Sequence, residues 1–338
     1  MNERNSSLFQ KPDDALVDLI VRSGDMDTAI AFPAQHELAR ALETPLRQGV
    51  LVGDVVRNLY ESMIMPPGAT IEFPLDLLAP GEEDEFVAYT NPGNGRIAER
   101  QVEGDYVMVP TYGVTSAIDW LLRYAREARW DIVGRAMQVL EASFVKKMND
   151  DGWHTMLSAG ADRNILVYDA DATAGQFTKR LVSLLKVIMR RNGGGNTASV
   201  KRGKLTDMFL SPEALEDIRN WGVDQIDEIS RHEIFLAADG ALTRIFGVVL
   251  HDLDEFGQGQ EYQLYFQNQL SGSLQSSDVE LVVGLDMSNN DSFLMPVKQQ
   301  VSIFEDATLH RQQRAGFYGW AELGFAVLDN RRVIVGSF

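Results

Sequence analysis

The sequence of 338 residues contains no cysteine. This absence excludes disulfide-stapled scaffolds, thiolate metal sites and cysteine nucleophiles at the same time. No apolar run approaches the roughly 18 residues that a membrane-spanning helix needs, and the first residues mix both charges without an apolar stretch. We therefore expect neither a secretory signal nor a membrane partner. The composition is compatible with synthesis in a reducing cytoplasm.

Basic residues are scarce, since 31 lysines and arginines face 49 aspartates and glutamates and leave a formal net charge of −18. Such a chain does not adhere broadly to nucleic acid. Residues 179–204 are an exception, because they hold eight basic residues and no acidic one. These are Lys179, Arg180, Lys186, Arg190, Arg191, Lys201, Arg202 and Lys204. We interpret them as a solvated helix face, as an electrostatic partner for an acidic surface on a neighbouring subunit, or as a nucleic-acid contact.

Catalytic signatures are missing as well. The glycine-rich segment before Lys204 is followed by Leu205, whereas a phosphate-binding P-loop requires serine or threonine after its lysine. No Gly-x-Ser-x-Gly nucleophile elbow occurs, and no two of the five histidines have the spacing of a helical zinc site. The acidic pairs at residues 169–171 and 252–254 are interpreted as turns or caps rather than metal ligands. We predict no catalytic residue, no metal site and no cofactor.

The order of predicted elements indicates an α+β fold, because strands and helices occur in separate groups rather than in alternation. Residues 1–50 have too few apolar positions for a core of their own and are predicted to form an arm. Turn signals at residues 80–85 and 91–95 belong to a long polar hairpin, which needs a surface to lie on. The four consecutive acids Glu82–Glu85 are interpreted as a solvated loop or as intersubunit salt-bridge partners.

Two helices and a later strand follow from the spacing of apolar residues. The i, i+3 and i+4 pattern predicts a long helix from Leu121 to Asn149, with continuation beyond Gly152 left open. A second amphipathic helix is predicted over residues 172–192. Near the end of the chain, alternating apolar residues predict a strand over Glu261–Gln269.

The stretch Leu205–Trp221 is the most informative part of the sequence. A short apolar strand runs into Ser211, whose side-chain oxygen can cap a helix by accepting a backbone N–H of the first turn. Pro212 suits the first helical position, where no N–H is needed. Glu213 and the acids that follow it lie near the positive end of the helix dipole.

This stretch resembles the middle of the major capsid proteins of tailed bacteriophages, which have the Hong Kong 97-type fold. The resemblance extends to the order of elements over most of the chain. The segments that carry it are Ser211-Pro212-Glu213-Ala214, Asp217-Ile218-Arg219, Ile245-Phe246-Gly247-Val248 and Gly316–Arg332. It implies an N-terminal arm (1–50), a peripheral domain (51–165) with an E-loop (82–112) and a spine helix (121–149), an axial domain (166–278), and strands (279–338) that complete the peripheral domain.

The resemblance implies a structural protein rather than an enzyme. Its role is to self-assemble into the icosahedral shell that encloses the double-stranded DNA of a tailed phage, in the virion, after assembly in the host bacterial cytoplasm. Its implied partner is itself, in pentamers and hexamers. Scaffolding, portal and decoration proteins and non-specific contact with packaged DNA are further partners. Encapsulin-like nanocompartment shells share the fold and remain an alternative, and a metal-dependent α+β enzyme is the rival from another class.

Two groups of residues are candidates for contacts in such a shell. The E-loop residues at the subunit interface are Glu82, Glu83, Asp84, Glu85, Arg96 and Arg100. The basic residues of 179–204 form either a patch for an acidic partner or a surface facing DNA. No long N-terminal coiled region is present, so the resemblance implies a separate scaffolding protein or none.

Overall fold

The computed structural model describes residues 14–53, 56–66, 68–75, 105–127, 129–192, 203–221, 244–270, 280–288 and 292–338. Among these residues no helix has both the length and the hydropathy needed to cross a membrane. The chain divides into two compact units. The first comprises Met1–Ile71, Pro110–Asp151 and Met295–Gly324, and the second comprises Glu72–Val109, Gly152–Leu294 and Phe325–Phe338.

The first unit begins with helices α1 (Asp14–Ser23) and α2 (Thr28–Gly53). The Gln35 side chain of α2 is buried and donates a 2.9 Å hydrogen bond to the carbonyl of Ser23, which joins α2 to the end of α1. Leu38 and Leu46 of α2 are buried as well. The described part of the predicted arm therefore contributes helices and apolar residues to the core of this unit.

A four-stranded sheet forms the second layer of the first unit. Its strands are β1 (Glu61–Ile64), β4 (Tyr112–Leu121), β10 (Phe293–Glu305) and β11 (Arg314–Leu323), in the order β1-β10-β11-β4. Strand β11 pairs antiparallel with β4 along its whole length, from Arg314 opposite Leu121 to Leu323 opposite Tyr112. A 3₁₀ helix, Ala307–Gln312, connects β10 to β11.

The predicted long helix exists but has different bounds. Residues up to Leu121 belong to β4, a short helix α3 (Leu122–Arg126) follows, and the long helix α4 runs over Trp130–Asp162. The prediction of a start at Leu121 is wrong because pairing with β11 holds the preceding apolar residues in a strand. The end at Asn149 is also wrong, since Gly152 and Trp153 are buried within the continuing helix. At about 1.5 Å per residue, these 33 residues span about 50 Å.

The second unit is built on a six-stranded mixed sheet. Its strands are β5 (Leu166–Val167), β6 (Asp207–Leu210), β7 (Arg244–Ile245), β8 (Val248–Asp252), β9 (Leu281–Leu285) and β13 (Val333–Ser337), in the order β5-β13-β9-β6-β8-β7. Strands β6 and β8 are parallel, whereas β9 runs antiparallel to β6 and to β13. Residues 279–338 thus contribute β9 and β13 to this sheet and most of β10 and all of β11 to the other.

Helices cover both faces of this sheet. Helices α5 (Lys179–Asn192) and α6 (Pro212–Asn220) bury their apolar sides in one cluster with Met208, Leu210 and Val282. On the other face, the ring of Trp153 packs edge-on against Phe209 at 4.8 Å. The alternation of side chains along β6 explains why Met208 and Phe209 serve opposite faces.

The predicted strand over Glu261–Gln269 is wrong. This segment forms a short helix α7 (Glu261–Tyr265) that continues as a π-helical turn, Phe266–Leu270. Tyr262 and Phe266 are buried four residues apart, while Leu264 is exposed. The alternating apolar pattern therefore came from one helical face and one exposed leucine.

Smaller elements complete the described structure. Strands β2 (Glu72–Leu75) and β3 (Asp105–Met108) pair antiparallel, and β12 (Ala326–Val327) pairs with the first two residues of β10. Further 3₁₀ helices occupy Val56–Asn58, Asp254–Phe256 and Asn330–Arg332. Together these elements confirm the α+β class.

Two glycines in the first unit give a matched test of this packing. A Cβ at Gly319 would lie 2.5 Å from the ring of Phe144 in α4, so Gly319→Ala should destabilise the protein by about 1–3 kcal/mol through overpacking. A Cβ at Gly134, in the same helix, meets no atom within 4 Å, so Gly134→Ala should stabilise it by about 0.5–1 kcal/mol. Urea unfolding followed by tryptophan fluorescence measures both changes, and shifts of the same sign would contradict the packing described.

Candidate assembly surfaces

Helix α5 presents one apolar and one basic face. Its buried residues, Leu181, Val182, Leu185 and Met189, recur at helical spacing and pack against the sheet of the second unit. The charged residues occupy the remaining positions because a buried unpaired cation would cost several kcal/mol. The helix contains five basic residues, which are Lys179, Arg180, Lys186, Arg190 and Arg191.

Two lysines of α5 are anchored at the tip of the β7–β8 hairpin. Phe246 and Gly247 form its two-residue turn with φ values of 47° and 79°, as a type I′ turn requires. Lys186 Nζ donates a 2.8 Å hydrogen bond to the carbonyl of Phe246. Lys179 Nζ lies 5.5 Å from the centre of the Phe246 ring, within cation–π range. The positive φ of a bulky residue is unusual, and here it presents both the carbonyl and the ring to α5.

Arg180 is paired within its own chain. Its guanidinium forms an ion pair with Asp171 and lies 3.7 Å from a carboxylate oxygen of Asp169. The other oxygen of Asp169 accepts a 2.7 Å hydrogen bond from the Thr178 hydroxyl. This acidic pair therefore organises the turn before α5, in agreement with its interpretation as a turn.

The remaining basic residues are not paired in this way. Arg190 and Arg191 are exposed in the last turn of α5, and Lys204 is exposed just before β6. No acidic side chain among the described residues forms an ion pair with any of the three. Lys201 and Arg202 lie outside the described residues. The structure thus separates the predicted basic patch into an internally anchored part and an exposed part.

The predicted E-loop contacts cannot be placed in the same way, since Glu82, Glu83, Asp84, Glu85, Arg96 and Arg100 lie outside the described residues. The base of the segment is described, because β2 and β3 pair on either side of it. On β3, Tyr106 and Met108 are 68% and 64% exposed. Large apolar side chains that are this exposed on a two-stranded ribbon are typical of a contact surface.

The Ser211 segment has the local structure that its sequence predicts. Ser211 Oγ accepts a 3.2 Å hydrogen bond from the backbone N–H of Ala214, with Pro212 at the first position of α6. Ser211 also donates to the carboxylate of Glu280, a bond that the sequence analysis missed because the two residues are 69 positions apart. Burial raises the pKa of Glu280, with further upward contributions from Glu213 and Asp217, while the bond from Ser211 lowers it.

Histidines and acids do not assemble into a reactive site in the described part of the chain. His36 lies 3.2 Å from Glu305, His251 lies 2.8 Å from Asp207, and His310 lies 3.1 Å from a backbone carbonyl. His154 stacks on Tyr265 at 3.8 Å, and His232 lies outside the described residues. No group of three or more histidine, aspartate or glutamate side chains is placed there to hold a metal ion.

Comparison with solved structures shows a similar fold in several phage particles. A chain from Microbacterium phage Oxtober96 is matched over 85% of this chain and 90% of its own, with a TM-score of 0.56 and 10% identity. The capsid asymmetric unit of cyanophage Pam1 gives 82%, 88%, 0.55 and 12% for the same measures. The capsid of an empty GTA particle gives 85%, 90%, 0.51 and 9%. No protein-family model and no curated protein sequence matches the chain.

The buried carboxyl of Glu280 predicts a pH-dependent stability. Because its pKa is higher in the folded than in the unfolded chain, the unfolded state releases the proton first as pH rises above about 4.3. Folding stability therefore falls through that window. Glu280→Gln keeps an oxygen that can accept from Ser211 but cannot ionise, so its thermal midpoint relative to the wild type should increase from pH 4 to pH 7. A difference that stays constant with pH would contradict this role of Glu280.

Proposed function

We propose that this chain, which has the Hong Kong 97-type fold, is the major capsid protein of a tailed bacteriophage. It self-assembles into the icosahedral shell that encloses the double-stranded DNA genome. The observation that carries the proposal is the match with phage capsid chains such as that of cyanophage Pam1, which extends over more than four fifths of both chains. A shared core motif alone would match only part of each chain.

The two units correspond to two roles in such a shell. We assign the peripheral domain to the first unit, with the first part of α4 as the spine, and the axial domain to the second unit with its six-stranded sheet. This assignment moves β9 and β13 to the axial domain, because both strands pair in the sheet that contains β6. The N-terminal arm and the E-loop remain the proposed bridges to neighbouring subunits.

Assembly of this kind rests on repeated heterologous contacts that close into rings. Each protomer is then stabilised by its neighbours, since binding to the native state alone shifts the folding equilibrium. The proposed E-loop contact uses the acids of residues 82–85 with Arg96 and Arg100. The basic residues of 179–204 are proposed to face an acidic surface of a neighbour or the packaged DNA. Scaffolding, portal and decoration proteins are proposed as further partners, and the host cytoplasm as the place of assembly.

A particle measurement tests the proposal. Size-exclusion chromatography with light scattering on the full chain should give a megadalton species, and electron microscopy should show closed shells. A monomer or small oligomer with metal-dependent activity would instead favour an α+β enzyme. Nucleic acid inside particles purified from phage-infected cells favours the capsid, whereas protein cargo in its place favours an encapsulin-like compartment.

Deletion of the proposed E-loop tests the main contact. A chain without Glu82–Arg100 should remain folded and soluble but form no shells, because the segment lies outside the described core and joins two paired strands. Circular dichroism checks the fold and electron microscopy checks the particles. Gly134→Ala, an exposed change in the first unit, is the control that should assemble normally. Normal shells from the deleted chain would exclude the proposed E-loop contact.

A further inference from the structure

The exposed arginines of α5 lie at one particular edge of the sheet in the second unit. The last turn of α5 approaches the residue that precedes β6, since a Cβ at Gly203 would lie 2.8 Å from the carbonyl oxygen of Met189. Lys204 follows directly, and its backbone N–H donates a 2.9 Å hydrogen bond to Asp286, just after β9. Arg190, Arg191 and Lys204 therefore form a basic edge at the amino end of β6.

Acidic residues lie at the opposite edge of the same sheet. Because β6 and β8 are parallel, their carboxyl ends meet there, and the Leu253 N–H donates a 2.8 Å hydrogen bond to the carbonyl of Leu210. Asp252 and Asp254 are exposed at this point and Glu255 is half-buried. No basic side chain among the described residues forms an ion pair with these three acids, which we name the acidic edge.

We propose that the basic edge of one copy binds the acidic edge of the next copy, so that the second units join head to tail. The inference rests on the proposed function, because only a repeating assembly brings many copies together. Opposite charges at opposite edges of one unit make a heterologous contact, which forms rings when its rotation closes. Val187, 46% exposed on α5 before Arg190 and Arg191, adds apolar area beside the charges.

Charge balance favours a second copy over nucleic acid as the partner of the arginines. Copies with a net charge of −18 repel one another, so a contact between them requires unpaired cations at the interface. Lys179, Arg180 and Lys186 already contact groups of their own chain. The cations left over form a compact cluster at one end of α5, whereas affinity for a nucleic-acid backbone grows with the number of phosphates contacted.

Charge exchange tests the contact on the full chain. R190E/R191E alone and D252K/D254K/E255K alone should each lower the yield of particles at least about tenfold, since like charges facing each other cost several kcal/mol. The chain that carries both sets of changes should regain particles, because its edges are again complementary. R40E/R135E makes the same charge change on two exposed arginines of the first unit and should assemble as the wild type does. Light scattering and electron microscopy count particles, and circular dichroism verifies folding.

The outcomes separate this contact from the proposed function. Wild-type yield from R190E/R191E would overturn the contact, and loss of nucleic acid from those shells would place the arginines against DNA. Failure of the doubly exchanged chain, with each variant folded, would show that the two edges are not partners. A wild-type chain that forms no shells would count against the proposed function itself. The contact would then also be overturned if R190E/R191E left the size of the wild-type oligomer unchanged.

Discussion

Close approach at glycines lets helix α4 pack against a sheet in each unit. In the first unit the glycine is on the strand, where Gly319 of β11 leaves room for the ring of Phe144. In the second unit it is on the helix, where a Cβ at Gly160 would lie 2.5 Å from a methyl group of Val335 in β13. Protein interiors are packed as densely as organic crystals, so neither position tolerates a larger side chain without movement. The burial of both sheets depends on these contacts.

The distribution of charge follows from this packing. Once the apolar side of α5 is committed to the sheet, its cations must lie on the outside or near its ends. Those beside the β7–β8 hairpin find a carbonyl and an aromatic ring, and Arg180 finds two aspartates. The cations of the last turn are favoured by the helix dipole but find no carboxylate among the described residues. An excess of acid over the whole chain thus coexists with a local excess of unpaired base.

Local chemistry was predictable wherever neighbouring residues decide the structure. The capped start of α6 needs only Ser211, Pro212 and the backbone that follows, and it formed as predicted. The long helix was predicted in kind, but its bounds depended on partners far away in sequence. Pairing of β4 with β11 moved the start, and burial of Trp153 carried the helix onward. The strand predicted at Glu261–Gln269 failed because a short alternating pattern also fits one buried helical face.

The sequence by itself determined the α+β class, the absence of cysteine chemistry, the capped α6 segment, and the concentration of base in residues 179–204. These depend on composition and on contacts within a few residues. Only the tertiary structure decided which of those basic residues are paired, because Phe246 lies more than 50 positions away from them. It also decided that Ser211 meets Glu280 and that Asp252 lies across the sheet from Arg190. Such pairs form when strands distant in sequence align, and no local pattern encodes that alignment.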